Sequence, residues 1–147
     1  MTIDHNFLSV ITYLENIVAK RETLPENNIL PSFTAKVLPT ISIKNYTKRL
    51  ASKMDCSLSC FMLAISYIER LSTKMVINNQ NVHRILLASV VVACKVVEDE
   101  CDSNIKYALI GGISPAELFI LEIEFLSAME FDVSRDRLIF DSLKPEM

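Results

Sequence analysis

The stretch that decides the fold is Asn81–Val97, NVHRILLASVVVACKVV. Ten consecutive residues within it, from Ile85 to Cys94, carry no charge, so apolar or small side chains would face every direction of a helix. A helix without a polar face is stable only when other elements surround it. The sequence therefore predicts a central buried helix, closed at its end by the lone cation Lys95, with the other helices packed around it.

Composition narrows the class of protein. The chain has 147 residues, of which 50% are hydrophobic, as expected for one domain with a sizeable core. Two glycines in the whole chain fit helices joined by short loops better than a β fold rich in turns. A net charge of −3 argues against a nucleic-acid-binding protein. No apolar run reaches the roughly 18–20 residues of a membrane span, and the N-terminus lacks a secretory pattern. We therefore expect an intracellular protein that binds neither membrane nor nucleic acid.

The N-terminal part of the chain predicts a helix and an arm. Apolar residues at spacings of three and four predict a helix from about Asn6 to Leu24. Pro25, Pro31 and Pro39 then exclude a long regular element, so we expect an extended arm over the domain. The apolar residues that would pack this arm are Ile29, Leu30, Phe33 and Val37.

Helical patterns also follow on both sides of the central helix. The predicted helices cover about 42–54, 56–72, 105–110 and 114–130. The strongest local signal is Ser114-Pro115-Ala116-Glu117, in which serine caps the helix, proline takes its first position and glutamate closes a capping box. A further packed turn or helix near the C-terminus is indicated by Phe131, Val133, Leu138, Ile139 and Phe140.

Basic residues line the outer face of the helix that begins at Ser42. They are Lys44, Lys48, Arg49 and Lys53. Such a face usually contacts only water. The alternative is a docking patch for acidic or phosphorylated partners.

Four cysteines, Cys56, Cys60, Cys94 and Cys101, lie in apolar helical surroundings. There is no CxxC pair, and the two histidines are distant in sequence, so the spacing does not favour zinc. Cys56 and Cys60 are one helical turn apart and could share a face. In a reducing compartment we expect buried free thiols, and a metal or disulfide role is the alternative.

Two charges stand in apolar surroundings. Lys95 ends the central helix, where Glu98 or Asp99 could pair with it. Glu122 has large apolar residues three and four positions away on both sides, and a carboxylate in such a place needs a partner. The two charges could form an internal ion pair. Alternatively, another protein completes this surface, because interfaces combine an apolar centre with a few polar anchors.

The ordered set of local strings resembles the cyclin box, in particular the P/U-type group of the cyclin family. The matching strings are Ile41-Ser42-Ile43 with Tyr46 and Arg49-Leu50; Cys56-Ser57 with Ala64, Tyr67-Ile68 and Arg70-Leu71; Ala93-Cys94-Lys95 with Glu98-Asp99; Asn104 with Tyr107-Ala108 and Gly111-Gly112-Ile113-Ser114; and Glu117-Leu118, Leu121-Glu122, Phe125-Leu126 and Phe131. The resemblance covers about 32–140. It implies an all-α fold: a five-helix cyclin box over 41–140 around the central buried helix. Residues 1–40 would form the preceding helix and arm, and 141–147 a tail.

The resemblance implies a non-catalytic subunit, without cofactor or metal, that binds and activates a cyclin-dependent protein kinase in the nucleus or cytoplasm. Kinase substrates or inhibitors would be its further partners. In cyclins, a lysine at the end of the third box helix and a glutamate in the fifth contact the kinase, and Lys95 and Glu122 occupy those positions. The apolar residues that match the kinase-facing surface are Val96, Leu126, Phe131 and Val133.

The chain departs from the family pattern in three places. Phe119 stands where a polar residue is common, Val96 is smaller than the usual phenylalanine, and the substrate-docking string of mitotic cyclins is not matched. An enzyme is disfavoured because no phosphate-binding glycine loop, HExxH or GxSxG motif is present. A cyclin-fold or helical adaptor that activates no kinase is the alternative function.

Overall fold

The computed structural model describes residues 5–20, 31–35 and 38–134. Its α-helices, in chain order, are α1 (His5–Lys20), α2 (Ile43–Lys53), α3 (Leu58–Ser72), α4 (Val82–Val97), α5 (Asn104–Gly111) and α6 (Pro115–Ala128). A short 3-10 helix spans Pro31–Phe33. These ranges contain no β-strand, so the predicted all-α fold is confirmed, and α2 to α6 form the five-helix box. None of these helices combines the length and the apolar character needed to cross a membrane.

The α4 helix is the centre of the fold, as the uncharged stretch predicts. Eleven of its 16 residues are buried, including every residue from Ile85 to Cys94. The α3 helix lies against it with ten buried residues of its own, and α2, α6 and the 3-10 helix cover the remaining sides. A helix of this composition is held by tertiary packing on all sides and not by a single amphipathic face.

The α1 helix packs against α2 and α3 through Val10 and Leu14, which are almost fully buried. The ring of Phe7 meets that of Phe61 edge-on, with ring centroids 5.0 Å apart. The predicted extension of this helix to Leu24 lies outside the described residues.

The arm that follows α1 is not extended throughout. Pro31–Phe33 forms one turn of 3-10 helix, and Phe33 is completely buried. Proline fixes one backbone angle near the helical value, so it also suits the start of a short helical turn. The other apolar residues of the predicted arm, Ile29, Leu30 and Val37, lie outside the described residues.

The starts of α2 and α6 agree with the local signals, whereas the first residue of α3 and the last residue of α6 differ from the predicted ones. Ser42 caps α2, accepting from the backbone N–H of Asn45, and Ser114 forms the predicted capping box at α6. The α3 helix begins at Leu58, two residues later than predicted, with Ser57 at the N-cap position. The α6 helix ends at Ala128 and not at Glu130, because the backbone turns into the left-handed region at that point.

The α5 helix packs tightly on α4 at Gly111, its last residue. A β-carbon added there would lie 2.3 Å from Cδ2 of Leu87 on α4, so the leucine side chain would have to shift. Leu87 is completely buried. The adjacent Gly112 ends the helix with φ of 77°, a conformation that glycine adopts without steric cost.

We expect Gly111→Ala to destabilise the chain by about 1–3 kcal/mol, since an extra methyl group in a packed interior forces its neighbours apart. Leu87→Ala alone should cost about 2–5 kcal/mol because it leaves a cavity. The double variant should cost clearly less than the sum of the two, because the new methyl enters the space that the leucine vacates. Urea unfolding of the four proteins measures this coupling. Strict additivity would contradict the close packing of α5 on α4.

Candidate functional site

Lys95, Asn104 and Glu122 form one hydrogen-bonded cluster that joins three helices. The Nζ atom of Lys95 lies 2.9 Å from Oε2 and 3.1 Å from Oε1 of Glu122. It also donates to Oδ1 of Asn104 at 2.8 Å, and Nδ2 of Asn104 donates to Oε1 of Glu122 at 2.6 Å. The cluster thus ties the last turn of α4 to the first turn of α5 and to the middle of α6.

The two charges therefore pair with each other, as the internal alternative of the sequence analysis proposes. The pair is not sealed from solvent: the side chain of Lys95 is 39% exposed and that of Glu122 is 12% exposed. The described part of the arm lies at the opposite end of α4. There the backbone carbonyl of Ser32 accepts from the guanidinium of Arg84, and the backbone N–H of Ala35 donates to the carbonyl of Gln80. The ion pair remains accessible along the lysine.

Glu98, an alternative partner of Lys95 in the sequence analysis, points elsewhere. Its Oε1 accepts from the backbone N–H of Ser57 and from the thiol of Cys60, both at 3.3 Å. The hydrogen bonds from Cys60 and then from Ser57 hold the pKa of the Glu98 carboxyl below its ordinary value. This carboxylate ties α4 to α3.

Apolar side chains flank the charged cluster. Val96, which follows Lys95, is 40% exposed, and Phe131 is 72% exposed. Leu126 lies one helical turn after Glu122 and is half-buried, as is Val133. We call Lys95, Val96, Glu122, Leu126, Phe131 and Val133 the Lys95 surface.

Phe131 is held away from the core by an unusual backbone. Glu130 and Phe131 have φ of 55° and 58°, in the left-handed region that non-glycine residues rarely adopt. The N–H of Phe131 donates to the carbonyl of Leu126 at 2.9 Å, which fixes the turn after α6. Such strain costs about 1–3 kcal/mol and concentrates at functional sites. The expectation that Phe131 belongs to a packed turn was wrong for its side chain.

Val133 is anchored from the other side of the turn. Its carbonyl accepts a short hydrogen bond from the hydroxyl of Tyr67 on α3. The Tyr67 ring packs against Phe125 of α6 at a centroid distance of 5.9 Å. The segment that carries Phe131 is therefore attached to two helices at its two ends.

Sequence reasoning missed the role of Asn104 and left open whether Phe119 extends the surface or packs into the core. Asn104 was singled out as part of a family string, but not as the bridge between the two charges. Its position next to the helix cap Ser103 is the only local signal, and that position usually indicates a solvated helix start. Phe119, noted as a departure from the family, is 61% exposed and lies one turn before Glu122, so it extends the Lys95 surface.

The predicted basic face of α2 is only partly free. Lys44 and Lys53 are exposed and Lys48 is half-buried. Nε of Arg49, in contrast, donates to the carbonyl of Ile110 at 2.7 Å and so supports the end of α5.

The expectation of free buried thiols was wrong for three of the four cysteines. Cys56 and Cys94 form a disulfide, and Cys101 is exposed. Cys56 lies just before α3 and Cys94 in the last turns of α4, and the packing of these helices brings their Cα atoms to 6.2 Å, a distance that disulfides span. Cys60 is free and buried as predicted, and burial raises the pKa of its thiol to about 11.

The sequence matches known proteins over most of its length. The family profile described as Cyclin matches residues 12–133. Cyclin-U4-2 of Arabidopsis thaliana is 37% identical over 112 residues, which cover 74% of this chain and 52% of the relative. Cyclin-P3-1 of Oryza sativa subsp. japonica is 36% identical over 141 residues, covering 92% and 60%, respectively. Cyclin-U4-1 of Arabidopsis thaliana is 40% identical over 99 residues, covering 65% and 49%.

The chain thus spans about half to three fifths of the length of these relatives. The resemblance to P- and U-type cyclins is confirmed, and so is the expectation that the chain is not an enzyme, since cyclins are regulatory subunits. The five-helix box around α4 and the matching profile lead to one conclusion: the chain belongs to the cyclin family.

Proposed function

We propose that the chain is a regulatory subunit that binds a cyclin-dependent protein kinase through the Lys95 surface and stabilises its active conformation. The observation that carries this proposal is the cluster of Lys95, Asn104 and Glu122, fixed on three helices and open to solvent beside exposed apolar side chains. A monomeric helical protein gains nothing in folding from an aromatic ring that is 72% exposed, as Phe131 is.

Activation requires no chemistry from the cyclin. An active kinase needs an ion pair between a lysine and a glutamate, and that glutamate is carried by a mobile helix. A protein that binds only the inward position of this helix shifts the population towards the active state by its differential affinity for the two positions. The box helices can present such a surface because α4 is buried on all sides and its last turn is fixed.

The apolar and charged parts of the surface would have different roles. Burial of Phe131, Val96 and Phe119 against the kinase supplies affinity at about 25 cal/mol per Å² of apolar area, before the costs of association are subtracted. Lys95 and Glu122 keep a fixed mutual geometry before binding, so they can set the register of the complex without being ordered by it. Charged anchors of this kind contribute specificity more than affinity.

The alternative, an adaptor that activates no kinase, has one observation in its favour. Lys95 and Glu122 satisfy each other inside the chain, so their presence is already explained by a link between α4 and α6. A structural link needs opposite charges at the two positions, but either position can carry the positive charge. A recognition site needs the positive charge at position 95 and the negative charge at position 122. Exchanging the two charges therefore separates the two functions.

We expect Lys95→Glu or Glu122→Lys to reduce the affinity for the partner kinase by about 30-fold or more, since a reversed charge leaves an interface charge unpaired or repelled, at a cost of about 2 kcal/mol or more. The exchange variant Lys95→Glu/Glu122→Lys should recover the melting temperature, because the ion pair is restored, and should remain deficient in binding. Differential scanning calorimetry measures the melting temperature. Surface plasmon resonance with each cyclin-dependent kinase of the source cell measures the affinity. Recovery of kinase binding by the exchange variant would support a purely structural pair.

Arg84→Glu is the matched control for this experiment. Arg84 also lies on α4 and forms an ion pair with α6, through Glu117 at 2.9 Å. It is eleven residues before Lys95, or about 16 Å along the helix. Its reversal should cost comparable stability and leave kinase binding unchanged. If Arg84→Glu weakened binding as much as Lys95→Glu, general destabilisation would explain both.

A second prediction concerns Phe131. We expect Phe131→Ala to lower kinase affinity by about 10-fold or more, as an aromatic anchor at an interface typically contributes more than 1 kcal/mol. The stability of the free chain should stay within about 0.5 kcal/mol, because the side chain is exposed. Leu38→Ala, at a residue that is 56% exposed outside the Lys95 surface, is the control. Equal kinase affinity of the Phe131→Ala variant and the parent chain, in titration calorimetry, would remove Phe131 from the interface.

A further inference from the structure

Three sulfur atoms meet where α3 begins and α4 ends. The Sγ atoms of Cys56, Cys60 and Cys94 all lie within 4.8 Å of one another. Cys60 and Cys94 are completely buried, and Cys56 is partly exposed. The disulfide between Cys56 and Cys94 uses two of these sulfurs and leaves the third, a free thiol, directly beside them.

A carboxylate completes this group on its open side. Oε1 of Glu98 lies 3.3 Å from Sγ of Cys60, and the backbone N–H of Ser57 donates to the same oxygen. Glu98 follows Cys94 by four residues, and Cys60 follows Cys56 by four, so each helix end supplies two groups one turn apart. A disulfide alone accounts for neither the Cys60 thiol nor the position of the carboxylate.

We propose that in the reduced chain Cys56, Cys60, Cys94 and Glu98 bind one zinc ion. Zinc prefers four ligands in a tetrahedron, with cysteine sulfur at about 2.3 Å and carboxylate oxygen at about 2.0–2.2 Å. Ligand atoms at those distances are separated from one another by about 3.5–3.8 Å. The three sulfur atoms already lie within 4.8 Å of one another, and Oε1 of Glu98 lies 3.3 Å from one of them, the Sγ atom of Cys60.

The ends of the two helices suit a cation and its thiolates. The C-terminus of α4, which carries Cys94 and Glu98, has a partial negative charge that favours a bound cation. The partial positive charge at the N-terminus of α3, beside Cys56 and Cys60, opposes the effect of burial on the Cys60 thiol, and a bound Zn²⁺ would displace the remaining thiol protons. The partly exposed Cys56 and the surface carboxylate leave a path by which the ion enters.

The state of the cysteines is set by two balanced reactions. A thiol or phosphine reductant supplies two electrons to the disulfide, and uptake of two protons gives the thiols of Cys56 and Cys94. Zinc then displaces three thiol protons, one from each cysteine. The ionised carboxylate of Glu98 carries no proton, so none is displaced from it. The disulfide and the zinc ion are therefore alternative links between the same two helix ends. A disulfide oxidant that accepts two electrons from the Cys56 and Cys94 thiolates, and leaves as two thiols after taking up two protons, would release the metal.

Anaerobic titration of the full chain with Co²⁺, after reduction by a phosphine and removal of metals, tests this proposal. We expect one equivalent of Co²⁺ to produce thiolate-to-cobalt charge-transfer bands and the strong visible bands of a tetrahedral complex, and one equivalent of Zn²⁺ to abolish them. Zn²⁺ should also raise the melting temperature of the reduced chain, because the folded state holds the four ligands together and binds the ion more tightly than the unfolded chain does. Absence of a tetrahedral thiolate spectrum in the reduced chain would overturn the proposal.

Variants distinguish this site from adventitious binding to thiols. Cys60→Ser and Glu98→Gln should each weaken Zn²⁺ binding. We expect a loss of about 100-fold or more for Cys60→Ser, because removal of a residue that only hydrogen-bonds a metal ligand already costs about 10–100-fold. Cys101→Ser is the matched control, since Cys101 is also free and its thiol lies 3.4 Å from the carbonyl of Cys94. Equal losses in Cys60→Ser and Cys101→Ser would contradict the site. Cys60→Ser retains both disulfide cysteines, and formation of that bond under oxidation, measured by mass spectrometry, shows that the variant folds.

Discussion

The structure depends on the burial of α4 from all sides. Because residues Ile85 to Cys94 offer no solvent-facing side, every neighbouring element is placed where it covers this helix. Charges are confined to the two ends of α4, and each end is tied to α6: Arg84 to Glu117 and Lys95 to Glu122, both at 2.9 Å. These two ion pairs favour one rotation and one register of α6. The apolar surface of α4 is uniform and does not by itself distinguish between registers.

The two ends of α4 differ in what covers them. At the first end, Arg84 also donates to the carbonyl of Ser32, so the arm is laid over that ion pair. At the second end, Lys95 has only Asn104 and Glu122 as acceptors within the described residues, and its side chain stays 39% exposed. The two ion pairs therefore have the same length but different surroundings. Among the described residues, the arm contacts Arg84 and does not contact Lys95.

Local information in the sequence predicts the parts of this structure that depend on local causes. The all-round apolar character of α4 and the capping box at Ser114 are each contained within a few residues, and both were predicted. The family resemblance, not periodicity, indicated Val96 and Leu126, since an apolar residue on a helix is ordinarily assigned to the core. Their role in binding stays a prediction.

Features that depend on distant residues were missed. The pairing of Cys56 with Cys94 spans 38 residues, and Asn104 meets Glu122 across 18. Neither contact has a spacing that a single helix could reveal. The family resemblance placed Phe131 on the surface, but the backbone that exposes it was not predicted. Left-handed backbone at two consecutive residues usually requires glycine or asparagine, and here it occurs without either.

The last turn of α4 is consequently held from three directions. Glu98 ties it to the backbone of Ser57 at the start of α3, and Asn104 and Glu122 hold Lys95 from α5 and α6. Cys94, next to Lys95 in the chain, adds a covalent link to α3. Under the proposed function, a surface held in this way would lose little conformational freedom on binding, so more of the interaction energy would appear as affinity. It would also discriminate between two positions of the kinase helix, because it could not adapt to both.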